Sequence, residues 1–184
     1  MSDKRVLILG VGNELLADEG FGVRALEYLQ ERYVWPTHVR LADGGTQGAM
    51  LMTELMDCDL LVVLDVVDGP EAPGTFYLLE GDGLRQSLSF KNSMHQLDLP
   101  DTLITCRMAG HAVEAVVFGM QPFDMQSTQY GLTPQAQQRL PQFCRKVVET
   151  LGKRGIADAA PRCHAERGDM SAPTPADGTP DHAR

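Results

Sequence analysis

Three acidic residues stand where apolar runs give out. Glu19 follows Val6-Leu7-Ile8-Leu9 and its glycine turn, Asp43 follows Val39 to Ala42, and Asp65 follows Leu60-Leu61-Val62-Val63-Leu64. If these runs are neighbouring parallel strands, all three carboxylates lie along the carboxyl edge of one sheet, where open α/β sheets bind ligands. Asp65 closes a run of five large aliphatics, so its burial is costly unless it is paired or metal-bound. One imidazole, His95 in Ser93-Met94-His95-Gln96-Leu97, falls in an irregular stretch. Two of these carboxylates with this imidazole, converging on one site, would make an incomplete coordination sphere. Carboxylate oxygen with imidazole nitrogen suits Ni, Zn or Fe(II) and leaves positions open for a substrate. Each residue also has an ordinary reading: a helix start for Glu19, a cap or turn for Asp43 and Asp65, a surface loop for His95.

Other chemistries find less support. Gly10-Val11-Gly12 after a strand invites a dinucleotide-binding reading, yet the third glycine of G-x-G-x-x-G would fall at position 15, which is Leu15. No Gly-Lys-Ser/Thr marks a phosphate loop, and neither G-x-S-x-G nor H-E-x-x-H occurs. The four cysteines, Cys58, Cys106, Cys144 and Cys163, are scattered without a C-x-x-C pair, which points to reduced thiols in the cytoplasm. A net charge of −9 argues against nucleic-acid or anionic-membrane surfaces. No apolar run approaches the roughly 20 residues that span a bilayer. Met1 to Arg5 leads straight into the first strand, so no leader is expected.

The elements that must position these residues follow from periodicity. Val6 to Leu9 is an apolar run with β-branched members, as in a strand buried on both faces. Gly10 and Gly12 allow a tight exit, and Asp18 is the expected N-cap of a helix with Phe21, Ala25, Leu26, Leu29 and Tyr33 on its apolar side. Glu19 then falls in the first helical turn, where the helix dipole favours a carboxylate. Tyr33 to Pro36 closes the turn. A strand from Val39 to Ala42, a helix from Ala49 to Met56 and the strand ending at Asp65 come next, and Thr75 to Leu79 is an edge or antiparallel strand. A short helix is expected over about Leu97 to Thr105, and Ala112 to Gly119 is the expected last strand. Thr133-Pro134 starts the final helix, with a kink or break at Pro141 and a stop at Gly152. This alternation predicts a doubly wound α/β three-layer sandwich with a mostly parallel central sheet, over residues 1–156. Residues 157–184, rich in Pro, Ala, Asp and Gly, are expected to be a disordered tail.

Several blocks in fixed order resemble the [NiFe]-hydrogenase maturation endopeptidases. They are Gly10-Val11-Gly12-Asn13, Ala17-Asp18-Glu19-Gly20-Phe21-Gly22-Val23-Arg24, Asp43-Gly44-Gly45-Thr46, the strand ending at Asp65, His95-Gln96-Leu97, Gly119-Met120-Gln121-Pro122 and Gly131-Leu132-Thr133-Pro134. The likeness runs from about residue 5 to residue 155. It implies a doubly wound sandwich and an endopeptidase that removes the C-terminal extension of the hydrogenase large-subunit precursor after nickel insertion. It also implies that Glu19, Asp65 and His95 are both the metal-contacting and the catalytic residues. Nickel, held in the substrate's own active site, is the expected cofactor, and Asp43, Gly44, Gly45 and Thr46 are expected to line the substrate cleft. No residue is assigned to an organic cofactor. The precursor is the expected partner of a cytoplasmic monomer, with no nucleic acid and no membrane span. A nickel-sensing chaperone without proteolysis is the alternative.

Overall fold

The computed structural model describes residues 4–44, 48–81 and 99–162. Its centre is a five-stranded sheet ordered β3-β1-β4-β6-β5, from β1 (Val6–Gly10), β3 (Val39–Asp43), β4 (Leu60–Val66), β5 (Phe76–Glu80) and β6 (Glu114–Met120). Strands β3, β1, β4 and β6 are parallel, and β5 runs antiparallel to β6 at the edge. A two-stranded ribbon pairs β2 (Tyr33–Val34) with β7 (Ala160–Pro161).

Side chains alternate across a strand, so each strand feeds two cores. Ile8, Val62, Leu64, Val66, Val116 and Phe118 pack with α1 (Phe21–Arg32) and the last helix, α4 (Pro134–Lys153). Leu7, Leu9, Leu61, Val63 and Val117 pack with α2 (Gly48–Met56) and α3 (Leu99–Met108). The result is the expected three-layer sandwich, with β1 and β4 buried along their whole length. Phe143 of α4 meets Phe21 and Phe76 edge-on, with ring centroids 5.0 and 5.4 Å away.

Several local expectations change. Asp18 does not cap α1; a short 3₁₀ turn, Ala17–Gly20, precedes that helix, and its N-cap is Gly20. Glu19 therefore lies in this turn rather than in α1 itself. Tyr33 leaves α1 and joins β2, because the segment after α4 returns to pair with it; Arg162 N–H also donates to the Arg32 carbonyl at 2.8 Å. Folded chain thus continues past residue 156: Ala157 is buried in the core, and the last strand is β7, not β6. The rest of the expected tail, 163–184, lies outside the described residues.

Thr133 caps α4 as expected, its Oγ1 accepting from Ala136 N–H at 3.2 Å with Pro134 at the first position. The helix does not break at Pro141. Its apolar stripe, Ala136 and Leu140 before the proline and Phe143, Val147 and Leu151 after it, stays buried throughout. Gly155, at φ +64, makes the stop in place of Gly152. Among the described residues no helix is long and apolar enough to cross a membrane.

Candidate active site

Parallel pairing brings sequence-distant residues level at the carboxyl edge. Gly10 of β1 pairs with Asp43 of β3 on one side and with Leu64 of β4 on the other. Asp65 is the next residue of β4, one position from its end. Strands lie about 4.8 Å apart, so Asp43 and Leu64, two strands apart, are separated by about 10 Å at Cα. Asp65 has the side-chain parity of Val63 and Val67, which face the α2–α3 core, while Glu19 leads into α1 on the opposite face. The two acids approach the same edge from opposite layers.

Close packing brings Glu19 there. After β1 the chain turns at Gly12, whose φ of +145° is a conformation L side chains rarely adopt, and a Cβ there would stand 1.9 Å from the Glu19 carbonyl oxygen. Gly22, in the first turn of α1, lies against the ends of both strands. A Cβ at Gly22 would meet the Leu64 carbonyl oxygen at 2.0 Å and that of Val11 at 2.3 Å. Between these two glycines the 3₁₀ turn is pressed onto β1 and β4. Its acidic residues sit at the amino end of α1, where the helix dipole favours negative charge.

Glu19 and Asp65 are 6% and 5% exposed, and Asp18 is fully buried. Burial of carboxylates requires hydrogen-bonding or charged partners. The Asp65 Oδ1 accepts from Val66 N–H at 2.7 Å. Asp18 is saturated: Oδ2 accepts from Phe123 N–H (2.9 Å), Asp124 N–H (3.1 Å) and Thr133 Oγ1–H (3.1 Å), and Oδ1 accepts from Thr133 N–H (2.9 Å). Asp43 is half-buried, and Gly44 beside it is buried, its N–H donating to the Gly10 carbonyl at 2.8 Å. A Cβ at Gly44 would press on Leu9 at 3.0 Å, so the chain there passes tightly over β1.

The structure thus brings Glu19, Asp65, Asp43 and Gly44 to one edge. His95, Gly45 and Thr46 lie outside the described residues. No group of three His, Cys, Asp or Glu side chains fit to hold a metal gathers among the described residues. The carboxylate oxygens present are of a type that suits a hard or borderline divalent cation.

Sequence reading missed Gln121. Its buried amide oxygen accepts from Gly69 N–H (2.7 Å) and Tyr77 OH (2.9 Å), and its Nε2 donates to Asp68 Oδ1 at 3.2 Å. These bonds tie the loop after β4 to the end of β6, beside Asp65. The available signal is a polar residue directly following the apolar run of β6. The cysteines among the described residues contribute no thiolate to this edge. Cys58, Cys106 and Cys144 are buried and free, and burial pushes Cys58 up to about 12 and raises the other two.

Fold and edge together describe a doubly wound α/β protein with buried carboxylates at the carboxyl edge of its sheet. A family model described as HycI, hydrogenase maturation protease, matches residues 23–150. The hydrogenase expression/formation protein HoxM of Azotobacter vinelandii is 39% identical over 169 residues, 91% of this chain and 82% of that protein. The hydrogenase 2 maturation protease of Escherichia coli is 36% identical over 160 residues, 86% of this chain and 96% of that one. Among solved structures, the hydrogenase maturating endopeptidase HybD from E. coli superposes with a TM-score of 0.77 at 35% identity, covering 86% of this chain and 98% of that one. The chain belongs to the [NiFe]-hydrogenase maturation protease family and is a hydrolase of peptide bonds.

Proposed function

We propose that this protease is nickel-dependent and removes the C-terminal extension of the [NiFe]-hydrogenase large-subunit precursor after nickel insertion, working in the cytoplasm as a monomer. The observation that carries this reading is the burial of Glu19 and Asp65 together where β1 and β4 end. Two carboxylates at one sheltered edge favour a cation, and His95 supplies the imidazole that completes the set. The nickel belongs to the substrate, held there by thiolates, so the ion marks a precursor ready for cutting. When bound it also supplies Lewis acidity, lowering the pKa of a coordinated water from 15.7 toward about 7. Carboxylates rather than a hydroxyl or thiol nucleophile serve the hydrolysis, which is consistent with an aspartic-type peptidase. Asp43, Gly44, Gly45 and Thr46 line the path of the extended peptide, where the small residues admit a close backbone approach.

The test is to change Glu19→Gln, Asp65→Asn and His95→Gln separately and follow shortening of nickel-loaded precursor by mass spectrometry. Each change is expected to slow shortening by about 100-fold or more, and precursor without nickel is expected to stay at full length. Wild-type processing by all three variants, or equal cutting of nickel-free precursor, refutes the proposal.

A further inference from the structure

Beside Glu19 stands a buried acid that the chemistry above does not use. Asp18 is fully buried, and its four partners all donate. Every one of them comes from the segment between β6 and α4. Backbone bonds lace the same two loops together: Ala17 N–H donates to the Gln129 carbonyl (2.9 Å), Asp18 N–H to the Asp124 carbonyl (3.0 Å) and Gly131 N–H to the Glu14 carbonyl (3.2 Å). Ala17 itself holds φ +40, a left-handed conformation that an alanine keeps only when its surroundings impose it. The strained residue, the saturated carboxylate and Glu19 are consecutive.

We propose that Asp18 is a positioning residue for the peptidase reaction: its carboxylate, held by Phe123, Asp124 and Thr133, fixes the turn that presents Glu19 at the sheet edge. This rests on the reading of Glu19 as a group that engages the substrate. Only a carboxylate fits the socket. An asparagine whose oxygen meets the three donors at the Oδ2 side turns its NH₂ toward Thr133 N–H, donor against donor. The turn then shifts, and a misplacement of about 1 Å at a reacting group costs about 100-fold in rate. Thr133 is the reporter, because its hydroxyl donates to Asp18 and accepts from Ala136 N–H at the cap of α4. A valine there loses the hydroxyl, whereas a serine keeps it.

The experiment uses the full-length enzyme on nickel-loaded precursor, with kcat and KM measured per folded molecule at a temperature where circular dichroism shows every variant folded. Asp18→Asn is expected to lower kcat about 100-fold with KM within about threefold, and Thr133→Val to lower kcat about tenfold. Thr133→Ser is expected to keep kcat within about twofold of wild type. Should Asp18→Asn fail to fold, the Thr133 pair carries the test. Folded Asp18→Asn with wild-type kcat overturns the inference, as do a loss confined to KM and equal kcat values for the valine and serine variants. Glu19→Gln run alongside separates the two levels. If it cuts at the wild-type rate, the reading of Glu19 fails and the inference falls with it. If it is inactive while folded Asp18→Asn keeps full kcat, the positioning role alone fails.

Discussion

Gly22→Ala sets two opposing effects against each other, and the structure decides which wins. Alanine is the better helix former, by about 1 kcal/mol. Gly22, however, lies where α1 crosses the ends of β1 and β4, and its new methyl would stand 2.0 Å from the Leu64 carbonyl oxygen and 2.3 Å from that of Val11. Ordinary contact begins at 3.4 Å, so the helix must retreat by about 1.4 Å. Neither obstacle is the movable tip of a side chain. The Leu64 oxygen already accepts from Val11 N–H at 2.9 Å, which pins both strands. Retreat lifts Phe21, Ala25, Leu26 and Leu29 from the sheet, all of them at most 2% exposed. Overpacking of a filled core costs about 1–3 kcal/mol, and clashes with backbone belong at the top of that range or above it. After the propensity gain a net loss of about 2 kcal/mol remains, which for a chain of this size lowers Tm by about 4–8 °C. Glu19 is three residues upstream and moves with the helix start, so precursor shortening should slow by about 100-fold. Thermal unfolding by circular dichroism and a time course of shortening read the two effects. A variant that melts at or above the wild-type temperature and cuts at the wild-type rate would show that α1 does not bear on the strand ends as described.

Two further outcomes test other parts of the molecule. Hydrogen bonds from the Arg5 side chain and backbone N–H hold Asp59 down at about 2, below its ordinary 3.8; the stabilisation is complete above 3.8 and is lost as pH falls toward 2, so Asp59→Asn should flatten acid unfolding in that window, and an unchanged profile counts against the pairing. Burial pushes Cys58 up to about 12 and raises Cys144, so at pH 8 both should react with iodoacetamide only after unfolding, with peptide mapping as the readout and rapid labelling of the native protein as the contrary result.

The sheet was legible because its strands announce themselves. Val6 to Leu9 and Leu60 to Leu64 are unbroken apolar runs, a pattern that only a strand covered on both faces tolerates. The pattern also places their ends on one edge, since parallel strands joined by helices finish on the same side. The turn between β1 and α1 was not legible. Asp18 precedes a helix and is a good capping type, so local rules assign it the cap. Its actual partners, Phe123, Asp124 and Thr133, lie more than a hundred residues away. Local propensity carries no term for such a donor cluster. Pro141 does not break α4, because a stripe buried on both sides of the proline keeps the helix continuous. The ribbon of β2 and β7 joins residues 33 and 161, a pairing of two-residue strands too short for any pattern to reveal.

Asp18 and Glu19 carry the same charge and adjoin in sequence, yet their surroundings divide them. One is enclosed by four donors, and the other, slightly exposed, stands at the carboxyl edge of the sheet. If socket shape makes that division, exchanging Asp18→Glu and Glu19→Asp together should destroy it while leaving composition and net charge untouched. The longer acid adds one methylene to a fully buried socket, an overpacking worth about 1–3 kcal/mol. Its oxygens also leave the positions that Phe123, Asp124 and Thr133 address. The shorter acid reaches less far over the edge by the same methylene. The exchanged enzyme should therefore fold with a lower urea midpoint and an unchanged m-value, and should cut nickel-loaded precursor about 100-fold more slowly. Full rate at the wild-type midpoint would mean that the two carboxylates are interchangeable, and the four bonds to Asp18 would then explain nothing about why Glu19 is the one at the edge.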